Sequence, residues 1–453
     1  MESKSTRNWL VMASVGVGSL LGSIDGSVVN IALPTIRRGF GTDVATAEWV
    51  VAIYLLISCG SVLTFGRIGD LRGQKPVCVW GFATFVACSA LCGLAPSIAM
   101  LILFRALQAL GASMIISSGP AILTGTFLPS QRGKVLGIQV LMVYLGSTIG
   151  PMLGGWLTDT FTWRAVFYIN VPIGLMALIL SVKFIPRAIP ENKPERFDFH
   201  GAALFLATFS VLLIALNQGH TYGWTSSYIV RMFAAAALLL AVFVLIEIRT
   251  ASPLLDLSLF RAPTFSLSAT SAICNYMAMF TSGFLMPFYL IQGHGLSSSS
   301  AGMLMTVQPL VMVISAPVAG AISDRVGTRW PAVLGMALVT VAMYLLSRLG
   351  PTTSLVYIGT AIGMAGLGIG CFVAPNNSTL MGSAPRNRQG IAGGILATSR
   401  YIGMILGVGI SGAIFTTFIR VHTQAAFFSG IQISLLVASA FSCLGCITSA
   451  VRK

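Results

Sequence analysis

Of the twelve acidic residues, Asp25 alone lies well inside an apolar stretch, the one from Trp9 to about Leu33. An ionisable group at such depth costs roughly 2.5–3.5 kcal/mol on insertion scales, so its presence points to function. At about 1.5 Å per residue, Asp25 falls about 12 Å below the end of its span. Arg105, in an antiparallel stretch, falls roughly 9 Å below the same surface. The two charges thus reach similar depths and can pair, and Gln108, one turn from Arg105, can join them. Burial and a neighbouring guanidinium pull the proton affinity of a carboxyl in opposite directions. A group held in that balance can lose and regain a proton as its exposure changes. The alternative is a static Asp25–Arg105 pair that only locks two helices together.

Other chemistry finds little support. The four histidines (His200, His220, His294 and His422) fall at helix ends or in loops, and no nucleophile has a paired base. Cys443 and Cys446 form a C-x-x-C on an apolar stretch without flanking ligands, which reads as packing. No glycine loop with lysine suited to nucleotide phosphates is present. The expectation is a non-enzyme without metal or cofactor, its energy coming from a proton gradient.

No second acid answers Asp25 in the C-terminal half. Asn275, Tyr276, Phe280, Phe284, Gln308 and Met312 offer aromatic, methionine and amide groups there instead, and Asn30, Tyr54 and Tyr144 do so in the first half. Such a wall suits varied lipophilic compounds. With one intramembrane acid, the expected cargo is a small lipophilic or monocationic compound rather than a dication. Glu48 reads as a first-turn acid at a helix start, where the dipole favours it.

These residues need long helices in lipid to position them. The chain has 453 residues, 55% hydrophobic and 9% charged, whereas soluble domains carry about 25% charged residues. Apolar stretches long enough to cross about 30 Å of hydrocarbon recur from end to end. The spacing predicts fourteen spans, at 9–33, 48–66, 77–95, 99–126, 134–158, 164–185, 199–217, 228–248, 265–290, 301–321, 331–348, 354–381, 391–418 and 427–450. The first contains Asp25 and is too long for a removable signal peptide. On this layout nineteen of the 27 basic residues lie on the side of the N-terminus, six lie opposite, and Arg105 and Arg400 fall within helices. That asymmetry puts both termini in the cytoplasm of a multi-pass protein of the cell membrane. It also accounts for the net charge of +15 without nucleic acid. The expected partners are lipid, protons and the cargo, with the chain a monomer.

One phrase occurs twice with the same spacing: Gly66, Asp70, Gly73, Lys75 and then Gly320, Asp324, Gly327, Arg329, at an offset of 254 from Asp70 to Asp324. Pro129-x2-Arg132-Gly133 and Pro385-x2-Arg388-x-Gly390 sit at nearly the same offset. The glycines give freedom to a tight loop, and each aspartate can accept N–H groups at a neighbouring helix start. Such a latch, with Arg132 and Arg325 beside it, would make and break as a gate. A purely topogenic loop is the other reading. The repeat matches the first six spans to the last six. It predicts an all-α polytopic protein of two six-helix bundles, residues 1–185 and 263–453, joined by residues 186–262 with two extra helices and a Pro/Glu/Lys-rich linker at about 186–198. Paired bundles are the plan of alternating access.

Gly66-Arg-Ile-Gly-Asp-Leu-Arg-Gly-Gln-Lys75 resembles the signature loop of the major facilitator superfamily. The likeness continues at Asp25-Gly-Ser-Val-Val-Asn-Ile-Ala-Leu-Pro34 and Arg105-Ala-Leu-Gln108-Ala-Leu-Gly111. It also takes in Gly146-x3-Gly150-Pro151-x2-Gly154-Gly155 and Trp163-Arg164-x2-Phe167-Tyr-Ile-Asn170-Val-Pro172-Ile-Gly174. Together these are similar to the fourteen-span drug:proton antiporters, over nearly the whole chain. Leu71 stands where the signature loop usually has arginine, and Ala109 where glycine is usual. The resemblance implies proton-driven multidrug export, with Gly146, Gly150, Pro151, Gly154 and Gly155 forming the element associated with antiport.

Overall fold

The computed structural model describes residues 2–128, 131–186, 198–250, 255–385, 389–421 and 423–452. Pro129, Arg386, Arg388, His422 and most of the 186–198 linker lie outside the described residues. Among the described residues fourteen helices run back and forth: α1 Glu2–Phe40, α2 Val44–Arg72, α3 Gln74–Leu94, α4 Ile98–Thr126, α5 Arg132–Thr160, α6 Ala165–Phe184 and α7 Phe199–Tyr222. They continue as α8 Ser227–Arg249, α9 Pro263–Phe288, α10 Ser298–Val326, α11 Arg329–Leu346, α12 Leu355–Gly382, α13 Gln389–Ile419 and α14 Gln424–Val451. Among the described residues thirteen of these are long and apolar enough to cross a membrane. The exception is α9, whose hydropathy is lowered by Ser268, Ser271, Asn275, Thr281 and Ser282, all buried inside the protein.

The sixth span is not the continuous helix that its apolar run predicts. It breaks at Ile169, between Ala165–Tyr168 and Asn170–Phe184. Pro172 explains the break, because it has no N–H to offer the carbonyl of Tyr168 four residues back. Most helices also outrun their apolar cores, α1 continuing through Pro34 to Phe40.

The two ends of the molecule are built differently. One, the loop end, carries both termini and both copies of the Gly/Asp loop; the other is the far end. Six of the seven helices that start at the far end have a side-chain cap. Asp43 accepts from Thr46 N at 2.7 Å, and Ser97, Ser226, Ser297, Ser354 and Thr423 do the same for α4, α8, α10, α12 and α14. At the loop end, α2 passes to α3 through Gly73 (φ +93°) and α10 to α11 through Gly327 (φ +84°). A side chain would be strained at either position.

Helices α1–α6 and α9–α14 form two bundles of similar plan. In the first, Gly81 of α3 meets Gly111 of α4; in the second, Gly335 of α11 meets Gly368 of α12. Helix α7 pairs with α8 and covers the seam where α2 meets α13. Leu206 lies against Gly60, Leu213 against Gly409, and Asn217 donates to the carbonyl of Ala45 at 2.7 Å.

Between the bundles, the α5–α10 seam is tight at the far end. A Cβ on Gly155 would lie 2.2 Å from the Ser298 carbonyl oxygen, and one on Gly302 the same distance from that of Pro151. Asp159 accepts from the N–H groups of Ser298 (3.1 Å) and Ser299 (2.7 Å), while Arg37 donates to Gln292 at 3.3 Å. Toward the loop end the seam loosens, and Gly133 and Gly137 of α5 have nothing within 4 Å of where a Cβ would be. The second seam, α2 on α13, closes through Glu48 and Gly412 at the far end and continues to Leu63 and Gly394.

Candidate functional site

The break in α6 puts Asn170 at the start of a helical segment facing α1, where it becomes part of the Asp25 site. Asp25 Oδ2 accepts from Arg105 Nη1 at 2.7 Å. Asp25 Oδ1 accepts from Asn170 Nδ2 at 2.8 Å and from Gln108 Nε2 at 3.1 Å. Gln108 is fixed in turn, accepting from Arg105 at 2.7 Å and donating to Ser89 Oγ at 2.6 Å. Arg105 Nε donates to the Val50 carbonyl of α2 at 3.1 Å, and the guanidinium lies over the Tyr54 ring, 4.1 Å from its centroid. Asp25, Gln108, Asn170 and Ser89 have no exposed surface, and Arg105 retains 1%. A buried charge pair persists when its remaining hydrogen-bonding capacity is met, and here four helices besides α1 contribute. Each carboxylate oxygen is engaged, Oδ2 by one donor and Oδ1 by two, so protonation of Asp25 weakens the charge-assisted hold on Arg105.

The backbone that carries Asp25 is clamped by α5. Cβ atoms on Gly146, Gly150 and Gly154 would come within 2.5 Å of the Leu20 carbonyl oxygen, 1.9 Å of Ser27 Oγ and 2.6 Å of Val28. These three glycines sit one turn apart and form a single face against α1. Pro151 and Gly155 form another, against Gly302 and Ser298 of α10. One helix therefore touches both the Asp25 segment and the opposite bundle. The second half repeats the arrangement, with Gly403 and Gly407 of α13 packed on Ile273 and Met277 of α9.

The loops are less of a latch than their spacing suggests. Asp70 accepts from the Gln74 side chain at 2.9 Å rather than from backbone N–H groups, and it is exposed. Gly66 has open space, with Ser117 3.8 Å from where its Cβ would be. Lys75 donates to the Val182 carbonyl of α6 at 2.8 Å, within its own bundle. In the second copy Arg329 donates to the Ala450 carbonyl, while Asp324 and Arg325 are exposed, as is Arg132 at the start of α5.

The aromatic and amide residues divide into two groups. Phe284, which stacks on Phe288 at 5.5 Å, and Met312 are in the apolar core. Gln308 is half-buried, its backbone against Gly366, and Phe280 packs on the edge of the core. Asn30, Tyr54, Tyr144, Asn275 and Tyr276 lie on α1, α2, α5 and α9. Asn30 Oδ1 and both amide atoms of Asn275 are buried without a hydrogen-bond partner. Elsewhere, an apolar groove of about 770 Å³ runs along the outer faces of α10–α12 past Ile314, Val318, Trp330 and Leu334. Its lining suits acyl chains.

Sequence reasoning passes over several contributors. Asn170 is signalled only as a polar residue in an apolar run, and Ser89 has no signal at all. Arg400 of α13 stands beside Tyr276 and Tyr144, with Tyr401 next to it. Arg452, one more basic residue near a terminus by sequence, is buried and donates to Asn376 (2.6 Å) and to the Thr328 carbonyl (3.0 Å).

Comparison with known proteins agrees with this architecture. A family model described as Major Facilitator Superfamily matches residues 15–273 and 268–447. The riboflavin transporter RibZ of Clostridioides difficile is 32% identical over 409 residues, covering 90% of this chain and 88% of its own. The tetracenomycin C resistance and export protein of Streptomyces glaucescens is 30% identical over 408 residues, 90% of this chain and 76% of its own. Among solved structures, a bacterial homolog of the human lysosomal transporter Spinster superposes with a TM-score of 0.72 at 18% identity, covering 98% of this chain and 97% of the other.

Proposed function

The chain belongs to the Major Facilitator Superfamily, and on that premise we propose that it is a proton-driven exporter of amphipathic, lipophilic compounds. It works as a monomer in the cell membrane with both termini in the cytoplasm, by alternating access rather than by catalysis. The observation that carries this reading is Asp25, a carboxylate without exposed surface in a membrane helix, held by three donors from α4 and α6. With the termini inside, the tight far-end seam corresponds to closure toward the outside. Asp25 takes a proton from outside when that seam opens. It releases the proton inside, where Arg105, Gln108 and Asn170 hold the ionised form. Cargo moves the other way between the bundles. The glycine faces of α5 link the two events, because the same helix bears on Asp25 and on α10. A proton falling through 100 mV releases about 2.3 kcal/mol and one pH unit adds about 1.4. One-for-one exchange can thus sustain a gradient of several hundredfold for a neutral cargo.

A second reading, export of one dedicated natural product, is favoured by a relative named for the export of a single compound, tetracenomycin C. The test of the shared mechanism is cargo-induced proton release from acidified everted vesicles. Wild type releases protons and Asp25→Asn does not, though the variant still exchanges labelled cargo. Equal proton release by both would remove Asp25 from the mechanism.

A further inference from the structure

The charge of Arg105 is answered by Asp25. A second arginine inside a membrane helix, Arg400 of α13, has no carboxylate partner and no hydrogen bond among the described residues. It lies over the face of Tyr276, with the guanidinium carbon 5.1 Å from the ring centroid. Tyr144 of α5 and its own neighbour Tyr401 are within electrostatic reach. Tyr401 in turn lies near Tyr54 and against Ser58 and Cys59 of α2. The guanidinium is therefore ringed by tyrosines from both bundles. It lies deep in the protein yet keeps accessible surface, as do Tyr144 and Tyr401, so this ring lines a crevice and is not sealed core. The unpartnered amide oxygen of Asn30 and the unpartnered amide of Asn275 lie on α1 and α9, where Asn30 approaches Gly283 across the bundle interface.

A membrane helix keeps an unpaired cation only at considerable cost, and such residues mark ligand sites or ion paths. A guanidinium is matched to planar oxyanions through two parallel hydrogen bonds. Tyrosine supplies flat apolar faces with a polar rim, suited to fused rings. A fixed positive charge also repels cations. We propose that Arg400 is a cargo-recognition residue and that the preferred cargo is an aromatic organic acid. Its carboxylate or an equivalent oxyanion bonds to the guanidinium, and its rings lie among Tyr144, Tyr276 and Tyr401. This deepens the export reading and rests on it, and it replaces the monocationic cargo expected from the sequence with an anionic one.

The test is equilibrium binding to the purified chain in nanodiscs, without any gradient, using two fluorescent dyes on one three-ring scaffold. Fluorescein is an anion and rhodamine 123 a monocation. Wild type binds fluorescein more tightly, by roughly tenfold or more for a bidentate charge-assisted contact. Arg400→Gln loses that advantage while its rhodamine 123 affinity holds or improves. Arg400→Glu reverses the preference, a gain that a misfolded protein cannot produce. Tighter rhodamine 123 binding by wild type, equal loss of both dyes in Arg400→Gln, or absence of saturable fluorescein binding would each overturn the proposal. Binding that depends on Arg400 in a protein that exchanges no protons would leave this inference standing and remove the proton-coupled mechanism.

Discussion

Tyr54 lies beneath Arg105, its ring centroid 4.1 Å from the guanidinium carbon, so the partner of Asp25 is held from below by α2. A desolvated contact of this kind is worth about 2 kcal/mol, comparable to a hydrogen bond to a charged group. The face of the ring supplies it, not the hydroxyl. Tyr54→Phe should therefore keep proton-coupled transport near wild type, and Tyr54→Leu should lower its initial rate by roughly tenfold or more. Proton release from acidified vesicles reads both. Equal impairment of the two variants would mean that the hydroxyl carries the effect.

Asp159 supplies the charge-assisted contact that closes the far end. It accepts from Ser298 and Ser299, the first N–H groups of α10, where the helix dipole favours an anion. Such an arrangement contributes up to ~2 kcal/mol, or roughly thirtyfold in an equilibrium between closed and open far ends. Asp159→Ala is expected to shift the population toward the open far end. Spin-label distances between Thr160 and Ser299 should gain a longer component. An unchanged distance distribution would show that the glycine contacts alone hold the seam.

Those contacts give a sharper expectation. Gly302 faces the Pro151 carbonyl so closely that any side chain must push α10 away from α5. Gly302→Val should stop turnover while the protein still folds and binds cargo, because the obstruction is in the seam and not inside a bundle. Gly137→Val, on the same seam where there is open space, should cost little in this state. Transport assays of the pair, with thermal unfolding as the control for folding, separate a jammed seam from general damage. Similar losses in both would argue against a role for the far-end seam.

Much of this organisation was legible from spacing. Asp25 and Arg105 can be placed at a common depth because each is counted through continuous helix from a nearby end. The two-bundle plan follows from a loop phrase repeated at a fixed offset. What escapes reading depends on geometry between segments far apart in the chain. Asn170 reaches Asp25 only through the packing of α6 against α1. Glu48 has the look of a helix-start acid, yet it is buried against Gly412, a residue that α13 brings from the other bundle. Arg452 looks like one more topogenic charge until Asn376 and Thr328 are seen around it. Arg400 is recognisable as an intramembrane cation, but its lack of a partner is a fact of packing.

The charge carried per cycle joins the two arginines in one measurement. If Asp25 brings in one proton for each aromatic acid that leaves, both movements carry positive charge inward. Two charges then cross per cargo, against one for a neutral analogue. Each charge gains about 2.3 kcal/mol per 100 mV. The potential alone can therefore support roughly a two-thousandfold gradient for the acid and about fiftyfold for the neutral compound. Collapsing the potential with valinomycin and potassium, at constant pH difference, should reduce accumulation of the acid far more than that of its methyl ester. Currents recorded from proteoliposomes should show twice the charge per molecule for the acid. In Asp25→Asn, exchange of acid for acid or of ester for ester should move no net charge. Equal charge for acid and ester in wild type would mean that the acid travels neutralised, and Arg400 would then have no anion to hold.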